Sequence, residues 1–252
     1  MGESVVRSST TSGRSAAKPH ELRRNVRGSR GPLQRKSRLD RLFRELARLA
    51  EMSVVERRLT QIGFRRIAGT DEVGRGCLAG PVVAAAVILD PSTPLLGVDD
   101  SKKLSPGDRF VLFRSILQHS VAISVGVVES ATIDRINILE ASKLAMKRAV
   151  DHLPVRPDVL LLDAVSLDQL QMPQVSLIKG DSRSIAIAAA SIVAKIYRDT
   201  LMEAYHDHFP QYDFVHNRGY GTEAHRQALI EFGPCPIHRM TFEGLSGGRL
   251  FD

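Results

Sequence analysis

The chain has 252 residues, 43% of them apolar and 25% charged, which is the composition of an ordinary globular protein with a substantial core. Its longest apolar run, Leu78–Leu89, is too short to cross a bilayer, and the start of the chain has no apolar signal segment. Two cysteines, Cys77 and Cys235, exclude a disulfide framework and a paired-cysteine zinc site. The composition predicts a cytoplasmic protein of one large or two small domains, with no membrane association.

The positive charge of the chain is concentrated in its first quarter. Residues 1–66 contain 17 of the 35 Lys and Arg but only 6 of the 28 Asp and Glu, so the remainder is slightly acidic. An acidic body with a basic arm is typical of an enzyme that holds metal-binding carboxylates and gains affinity for a polyanion elsewhere. The Arg- and Ser-rich tail is also compatible with a solvated segment that only aids solubility, and its composition overlaps with that of organelle transit peptides.

The predicted elements begin with a disordered segment. Residues 1–38 are rich in Ser, Gly and Arg with few large apolar groups, which predicts a disordered basic extension. Apolar residues then recur at helical spacing over 39–61. Two short strands follow over 65–71 and 82–89, and the Gly-rich stretch between them favours a hairpin.

The middle of the chain alternates helices and strands. Pro106 at a first helical position, with Ser105 as N-cap, predicts a helix over 106–118. A strand over 121–128 and a helix over 138–152 come next.

The last third adds two strands and two helices. The strands are predicted over 159–163 and 175–178, and the helices over 184–208 and 223–232. The many alanines of the 184–208 helix indicate close packing on a sheet. Strands first, then helices mixed with further strands, predict an α/β layer with a mixed sheet.

Carboxylates follow the apolar segments at three places. Asp71 and Glu72 end the first strand, Asp163 ends the fourth, and Asp181 follows the fifth. Hard carboxylate oxygens are the ligands that Mg²⁺ and Mn²⁺ prefer, and a pair of such ions can assist phosphodiester hydrolysis. Asp after a strand is also a common cap or turn residue, and adjacent strand residues point to opposite faces, so Glu72 must be redirected by the turn.

The Gly74–Gly80 stretch is a turn rather than a nucleotide-binding loop. A dinucleotide fingerprint must open a helix, whereas here Pro81 and β-branched residues follow, and no Gly-Lys-Ser/Thr is present to form a P-loop. Exposed amides together with Arg75 can bind a phosphate or a sugar hydroxyl. The simpler interpretation is a tight hairpin whose glycines only supply positive φ.

Two further polar clusters are candidates for nucleic-acid contact. Lys102, in the loop Ser101–Lys103, suits a backbone phosphate, although a solvated loop explains it equally well. Tyr220 lies between two glycines just before a helix, where an aromatic ring can stack on a sugar or base or simply pack on its neighbours.

Taken in order, these motifs resemble the bacterial ribonuclease HII family from about residue 55 to 243. The segments that carry the resemblance are 71–76, 80–87, 100–105, 162–164, 179–182, 188–195, 219–225 and 236–239.

The resemblance implies a ribonuclease H-like fold, with a central mixed sheet flanked by helices and a helical C-terminal part, in a catalytic domain over 39–252. It implies an endonuclease that cuts the RNA strand of RNA–DNA hybrids and cuts 5′ of single ribonucleotides in duplex DNA, leaving 3′-OH and 5′-phosphate ends. The family pattern assigns Asp71, Glu72, Asp163 and Asp181 as the catalytic site for Mg²⁺ or Mn²⁺, with two ions during catalysis. We expect a monomer.

The resemblance also assigns the substrate contacts. Gly74, Arg75 and Gly76 would read the ribonucleotide 2′-hydroxyl, the group that distinguishes RNA from DNA. Tyr220 would stack on the following deoxyribose and Lys102 would contact a backbone phosphate. The arginine in the Gly-x-Gly turn and the aspartate at 181 favour type HII over type HIII, which usually has lysine and glutamate there.

The sequence departs from the family pattern in two places. Cys77 stands where many members have proline, which loosens the turn without removing a donor, and residues 1–50 exceed the usual core. Two rival hypotheses are an inactive nucleic-acid-binding protein, and a DNA nuclease of the same fold that has no need of a 2′-hydroxyl.

Overall fold

The computed structural model of the chain describes residues 32–242 and residue 245, with side chains from residue 38 onward. The helices are α1 (Pro32–Met52), α2 (Val54–Gln61), α3 (Pro106–His119), α4 (Ser130–Ile136), α5 (Ile138–Asp151), α6 (Ile185–His208), α7 (Phe214–Asn217) and α8 (Glu223–Phe232). The strands are β1 (Ile67–Val73), β2 (Val82–Leu89), β3 (Ser120–Val128), β4 (Val159–Asp163) and β5 (Gln174–Leu177).

The five strands form one mixed sheet in the order β3-β2-β1-β4-β5. Strand β2 pairs antiparallel with both β1 and β3, whereas β4 pairs parallel with both β1 and β5. The predicted hairpin and the predicted mixed sheet are both confirmed. Because β1, β4 and β5 run the same way, their carboxyl ends meet at one edge of the sheet, which is where ligand sites form in such sheets.

Helices cover both faces of the sheet. On one face, alternate residues of β2 such as Ala84 and Ala86 pack against Ala145 and Met146 of α5. On the other face, Val83, Ala85 and Val87 pack against α6 and α3, together with Leu49 and Met52 of α1. Every residue from Val82 to Val87 is fully buried, because helices cover both faces of this central strand. This is why the sequence of β2 is a continuous apolar run.

Helix α6 lies unusually close to β1. A Cβ atom on Gly69 would stand 2.1 Å from the backbone carbon of Ala186, so only glycine allows this approach. The alanine-rich first half of α6 is buried on the same side, which confirms the expected close packing of this helix on the sheet.

The C-terminal part of the chain is helical, as predicted, and has its own apolar cluster. Met202 of α6, Tyr212, Phe214 and Leu229 are buried there against Leu78, from the segment that joins β1 to β2. This cluster attaches the C-terminal part to the carboxyl edge of the sheet.

The structure differs from the predicted elements at three helices. The first helix begins at Pro32, inside the segment predicted to be disordered, and residues 1–31 of that segment lie outside the described residues. The predicted helix over 39–61 is interrupted at Ser53. A separate helix α4 precedes α5, because Asn137 adopts φ 67° and its side chain accepts the Leu139 and Glu140 N–H groups at the start of α5. Within the part described, no helix is both long enough and apolar enough to cross a membrane.

Candidate active site

The sheet topology brings the predicted carboxylates to one edge. Thr70 of β1 lies opposite Leu162 of β4 in the parallel register, so the next residues, Asp71 and Asp163, end at the same level. After β5 the chain forms a short 3-10 turn, Gly180–Ser182, and the Gly180 N–H donates to Asp163 Oδ1 at 2.8 Å. Asp181 therefore lies beside Asp163, in a turn that this hydrogen bond to the Asp163 carboxylate anchors.

Three of the four carboxylates have raised pKa values. Burial, together with the charges of Glu72 and Asp163, raises the pKa of Asp71 to about 8. Burial also raises the pKa of Glu72, and there Arg75 acts in the opposite direction. The pKa of Asp181 is raised by burial and by the charges of Asp100 and Asp163. All four groups thus share one acidic edge, including Glu72.

The donor set of this edge fits a hard divalent cation. Carboxylate oxygens that are buried beside one another favour proton uptake, and a cation that binds them replaces those protons. Within residues 32–242 and 245, no three His, Cys, Asp or Glu side chains already stand close enough to hold an ion. Arg75 Nη1 lies 3.1 Å from Glu72 Oε1 and pairs with it. A cation that binds this oxygen would compete with Arg75 for it.

Two buried serines, Ser191 and Ser101, lie behind Asp71, and the sequence analysis did not assign either of them to the support of this carboxylate. The Ser191 hydroxyl of α6 lies near the Asp71 carboxylate and lowers its pKa, against the larger effect of burial. The Ser191 Oγ lies 2.8 Å from the Ser101 Oγ, and both residues are buried. The available signal was a hydroxyl in the otherwise apolar run Ala188–Ala194.

The glycine turn between β1 and β2 contains two kinds of glycine. Gly74 has φ 93°, and a Cβ atom there would stand 2.2 Å from Nε of Arg198. Gly76 has no positive φ, and a Cβ atom there would meet nothing within 4 Å. The simple interpretation, a glycine that only supplies positive φ, therefore applies to Gly74 but not to Gly76.

Two fully buried arginines hold this turn from behind. Arg239 donates to the carbonyl oxygens of Gly74, Arg75 and Gly80 at 2.6–3.0 Å. Arg198 donates to the carbonyl oxygens of Ala79 and Pro81 at 3.0 and 2.9 Å. Sequence reasoning assigned neither arginine a role, since nothing in the local pattern shows that an arginine is buried.

The remaining predicted contacts lie around the same edge. Lys102 is exposed, and its charge lowers the pKa of Asp181, so it lies near that carboxylate. Tyr220 is 41% exposed, and burial together with the Cys77 thiol raises its pKa. The Gly219 carbonyl accepts the Leu78 N–H at 2.8 Å, which joins the tyrosine loop to the glycine turn.

Two buried histidines connect the tyrosine loop to the segment after α8. His225 Nδ1 lies 2.9 Å from the Tyr220 carbonyl, and His225 Nε2 lies 3.0 Å from His238 Nε2. The Cys235 N–H donates to His238 Nδ1 at 2.9 Å. This geometry favours neutral rings, because His238 then donates to His225, and His225 donates to the carbonyl. Burial lowers the pKa of both histidines, that of His238 to about 4.

Comparison with solved structures defines the class of protein. A structure described as the PCNA:RNase HII complex from Archaeoglobus fulgidus matches with a TM-score of 0.62 and 28% identity, over 71% of this chain and 96% of that chain. The mixed sheet, its flanking helices and its helical C-terminal region are therefore those of a ribonuclease H2-like nuclease, as expected from the sequence.

Comparison with curated sequences identifies the family. The family model described as Ribonuclease HII matches residues 68–244. A ribonuclease HII of Lactobacillus delbrueckii is 57% identical over 180 residues, which is 71% of this chain and 70% of the relative. One from Listeria monocytogenes is 50% identical over 206 residues, covering 81% and 78%. The chain belongs to the ribonuclease HII family and is an endonuclease that hydrolyses phosphodiester bonds with the help of divalent metal.

Proposed function

We propose that Asp71, Glu72, Asp163 and Asp181 form the catalytic metal site of this endonuclease. As a member of its family, the enzyme cleaves RNA in RNA–DNA hybrids and at ribonucleotides embedded in duplex DNA. The observation that carries the assignment is the parallel register of β1 and β4, which ends both strands in a carboxylate at the same edge. We propose cleavage on the 5′ side of the ribonucleotide, giving 3′-OH and 5′-phosphate ends.

Two divalent cations, Mg²⁺ or Mn²⁺, are the proposed cofactors. When bound, they would activate a water and offset charge on the phosphoryl and leaving oxygens. Asp71 and Asp163 are the anchored ligands, because Asp71 is buried near the Ser191 hydroxyl and Asp163 accepts a hydrogen bond from the Gly180 N–H. Glu72 and Asp181 are the ligands that adjust, since Glu72 Oε1 is paired with Arg75 and Asp181 is only partly buried.

The glycine turn is the proposed reader of the ribonucleotide 2′-hydroxyl. Its carbonyl groups are held by Arg239 and Arg198, whereas the N–H groups of Arg75 and Gly76 donate to no described residue. The open space at Gly76 lets a ribose approach this backbone closely. A hydroxyl that both donates and accepts is the group such a turn can recognise, and deoxyribose lacks it.

Tyr220 and Lys102 are the proposed contacts to the rest of the substrate. The half-exposed ring of Tyr220 stands beside Cys77, which suits stacking on the deoxyribose after the ribonucleotide. The ammonium of Lys102, near Asp181, suits a backbone phosphate next to the cleaved bond. We further propose a monomer that acts in the cytoplasm, where the free thiols of Cys77 and Cys235 remain reduced.

The test is cleavage of a DNA duplex that carries one ribonucleotide, with Mg²⁺ or Mn²⁺, by the full chain and by Asp71→Asn. We expect a single cut 5′ of the ribonucleotide with the full chain. No cut is expected with Asp71→Asn, with an all-DNA duplex, or with chelator.

The outcomes separate the parts of the proposal. A full-chain cut that survives Asp71→Asn removes this residue from the metal site while leaving the family activity intact. Equal cutting of the all-DNA duplex removes the proposed 2′-hydroxyl reading by Gly74, Arg75 and Gly76.

A further inference from the structure

A second cleft opens beside the acidic edge, between the N-terminal helices and two loops of the catalytic body. Its volume is about 450 Å³, and its wall includes Arg48 and Arg58 on one side and Lys103 and Arg183 on the other. Of these four residues, only Lys103 lies within one of the segments that carry the family resemblance.

The cations of this cleft are incompletely neutralised. Lys103 pairs with Asp99 at 3.0 Å, and Arg48 pairs with Glu45 at 2.6 Å. Arg183 makes one contact, from Nη1 to the Ile178 carbonyl at 3.2 Å, and its side chain is otherwise exposed. The Arg58 side chain is exposed and makes no hydrogen bond or ion pair with any described residue.

The acidic residues of the wall do not cancel this charge. They are Asp99, which is already paired with Lys103, and the exposed Glu51. With Glu45, the partner of Arg48, included in the count, four cations face three anions, so the cleft keeps a net positive charge directly beside an acidic edge. A positive cleft that holds two unsatisfied guanidinium groups is built for an oxyanion, and arginine binds phosphate oxygens with its planar fork.

The position of the cleft shows which phosphate it would bind. Arg183 is two residues after Asp181 in the chain. Lys103 comes directly after Lys102, the proposed phosphate contact at the site. A strand held at the acidic edge therefore continues toward this cleft. The occupant has to be a polyanion that is already bound at the acidic edge, which favours a nucleic-acid backbone over a free metabolite.

We propose that the cleft between α2 and the Asp181 turn binds a backbone phosphate of the substrate duplex, through Arg58 and Arg183, away from the cleaved bond. This inference rests on the proposed function, because the strand enters the cleft from the acidic edge. The contact is independent of base sequence and of the 2′-hydroxyl, so it adds affinity without adding discrimination.

The experiment is binding of a labelled duplex with one ribonucleotide, measured by fluorescence anisotropy in chelator over a series of salt concentrations. Arg58→Gln and Arg183→Gln are each expected to raise Kd roughly threefold to tenfold, and to lower the slope of log Kd against log salt by about 0.9. The double variant is expected to lower that slope by about twice as much. Arg58→Lys is expected to keep the slope, because it keeps the charge.

Arg156→Gln is the matched control. Arg156 is an exposed arginine in the loop before β4, at the opposite end of that strand from Asp163, and its loss is expected to leave Kd and slope unchanged. A wild-type slope in the double variant overturns the inference, and so does an equal loss in the control. Cleavage by the full chain with Mg²⁺ is scored separately, so a cutting enzyme with an unchanged slope refutes the cleft alone.

Discussion

At the scale of single residues, the surroundings of Asp71 and its proposed role as a metal ligand favour opposite protonation states. The residue is 8% exposed and lies beside two other acids, which raises its pKa to about 8 and favours a proton at neutral pH. A cation ligand must instead be ionised. The Ser191 hydroxyl favours the ionised form by lowering the pKa of Asp71, and the Ser101 hydroxyl lies within hydrogen-bond distance of Ser191.

Removal of the Ser191 hydroxyl is therefore expected to make ionisation of Asp71 harder. The Ser191→Ala variant should need more Mg²⁺ for half-maximal cleavage. At fixed Mg²⁺, the acidic limb of its pH–rate profile should move upward by up to about one pH unit, the size expected for a hydrogen bond to a charged group. Cleavage rates between pH 5.5 and 9 measure both quantities.

Ser142 offers a matched control for this substitution. It is a buried serine on α5 whose hydroxyl has no partner among the described residues, so Ser142→Ala should leave the profile in place. If the two variants shift the profile equally, or if neither does, the role assigned to Ser191 is wrong.

At the scale of elements, the turn between β1 and β2 contains one glycine with a structural role, Gly74, and one with a proposed functional role, Gly76. Gly74 has positive φ and stands against Arg198, whose guanidinium is fixed by three carbonyl groups. Gly76 faces open space without such strain. Alanine at the two positions should consequently produce opposite defects.

Gly76→Ala is expected to change the free energy of unfolding by less than about 1 kcal/mol. It should still lower kcat/KM on a single-ribonucleotide duplex by about 100-fold, because a methyl group there displaces the ribose. Gly74→Ala should instead destabilise the protein by at least about 2 kcal/mol, from positive φ and contact with Arg198. Denaturant unfolding and cleavage kinetics on the same two variants distinguish these results, and full activity in Gly76→Ala would contradict the proposed reading of the ribose.

Comparison of these elements with the sequence shows which features can be predicted from the sequence alone. Strands β1, β2 and β4 can be predicted, as can the carboxylates that end β1 and β4, because apolar runs and their terminal acids are local in the chain. Arg239 is different: its role depends on accepting carbonyls at Gly74 and Gly80, which are distant in sequence. The break at Ser53 was also missed, since apolar spacing continues through it.

At the scale of the whole molecule, segments far apart in sequence converge behind the glycine turn. Arg239 joins it from the chain after α8, Arg198 from α6, and Gly219 from the tyrosine loop. The His225–His238 pair connects the chain after α8 to Tyr220 of the tyrosine loop, within a cage that includes Tyr212 and Phe214. The catalytic edge and the C-terminal part therefore share one buried polar junction, which requires both rings to be neutral.

Acidification should break this junction. His238 has a pKa of about 4 in the folded chain against 6.5 for an ordinary histidine, so the unfolded chain binds more protons between these values. The stability that the neutral pair contributes is therefore present above pH 6.5 and is lost as pH falls toward about 4. Asp71 has the opposite sign, because its raised pKa makes stability fall as pH rises from 3.8 toward about 8.

The effects of His238 and Asp71 on stability overlap in pH, so the wild-type curve alone does not report the histidine pair. The difference in melting temperature between the wild type and His238→Gln does. In His238→Gln, which cannot take up a proton, the melting temperature should be lower than in the wild type at pH 7.5. That difference should shrink steadily on acidification to pH 4.5, as the wild-type pair becomes charged. His152→Gln, at an exposed histidine after α5, should follow the wild type throughout. A His238→Gln curve parallel to the wild type over this range would mean that the pair is not neutral in the folded chain, and that Tyr220 is held by other contacts.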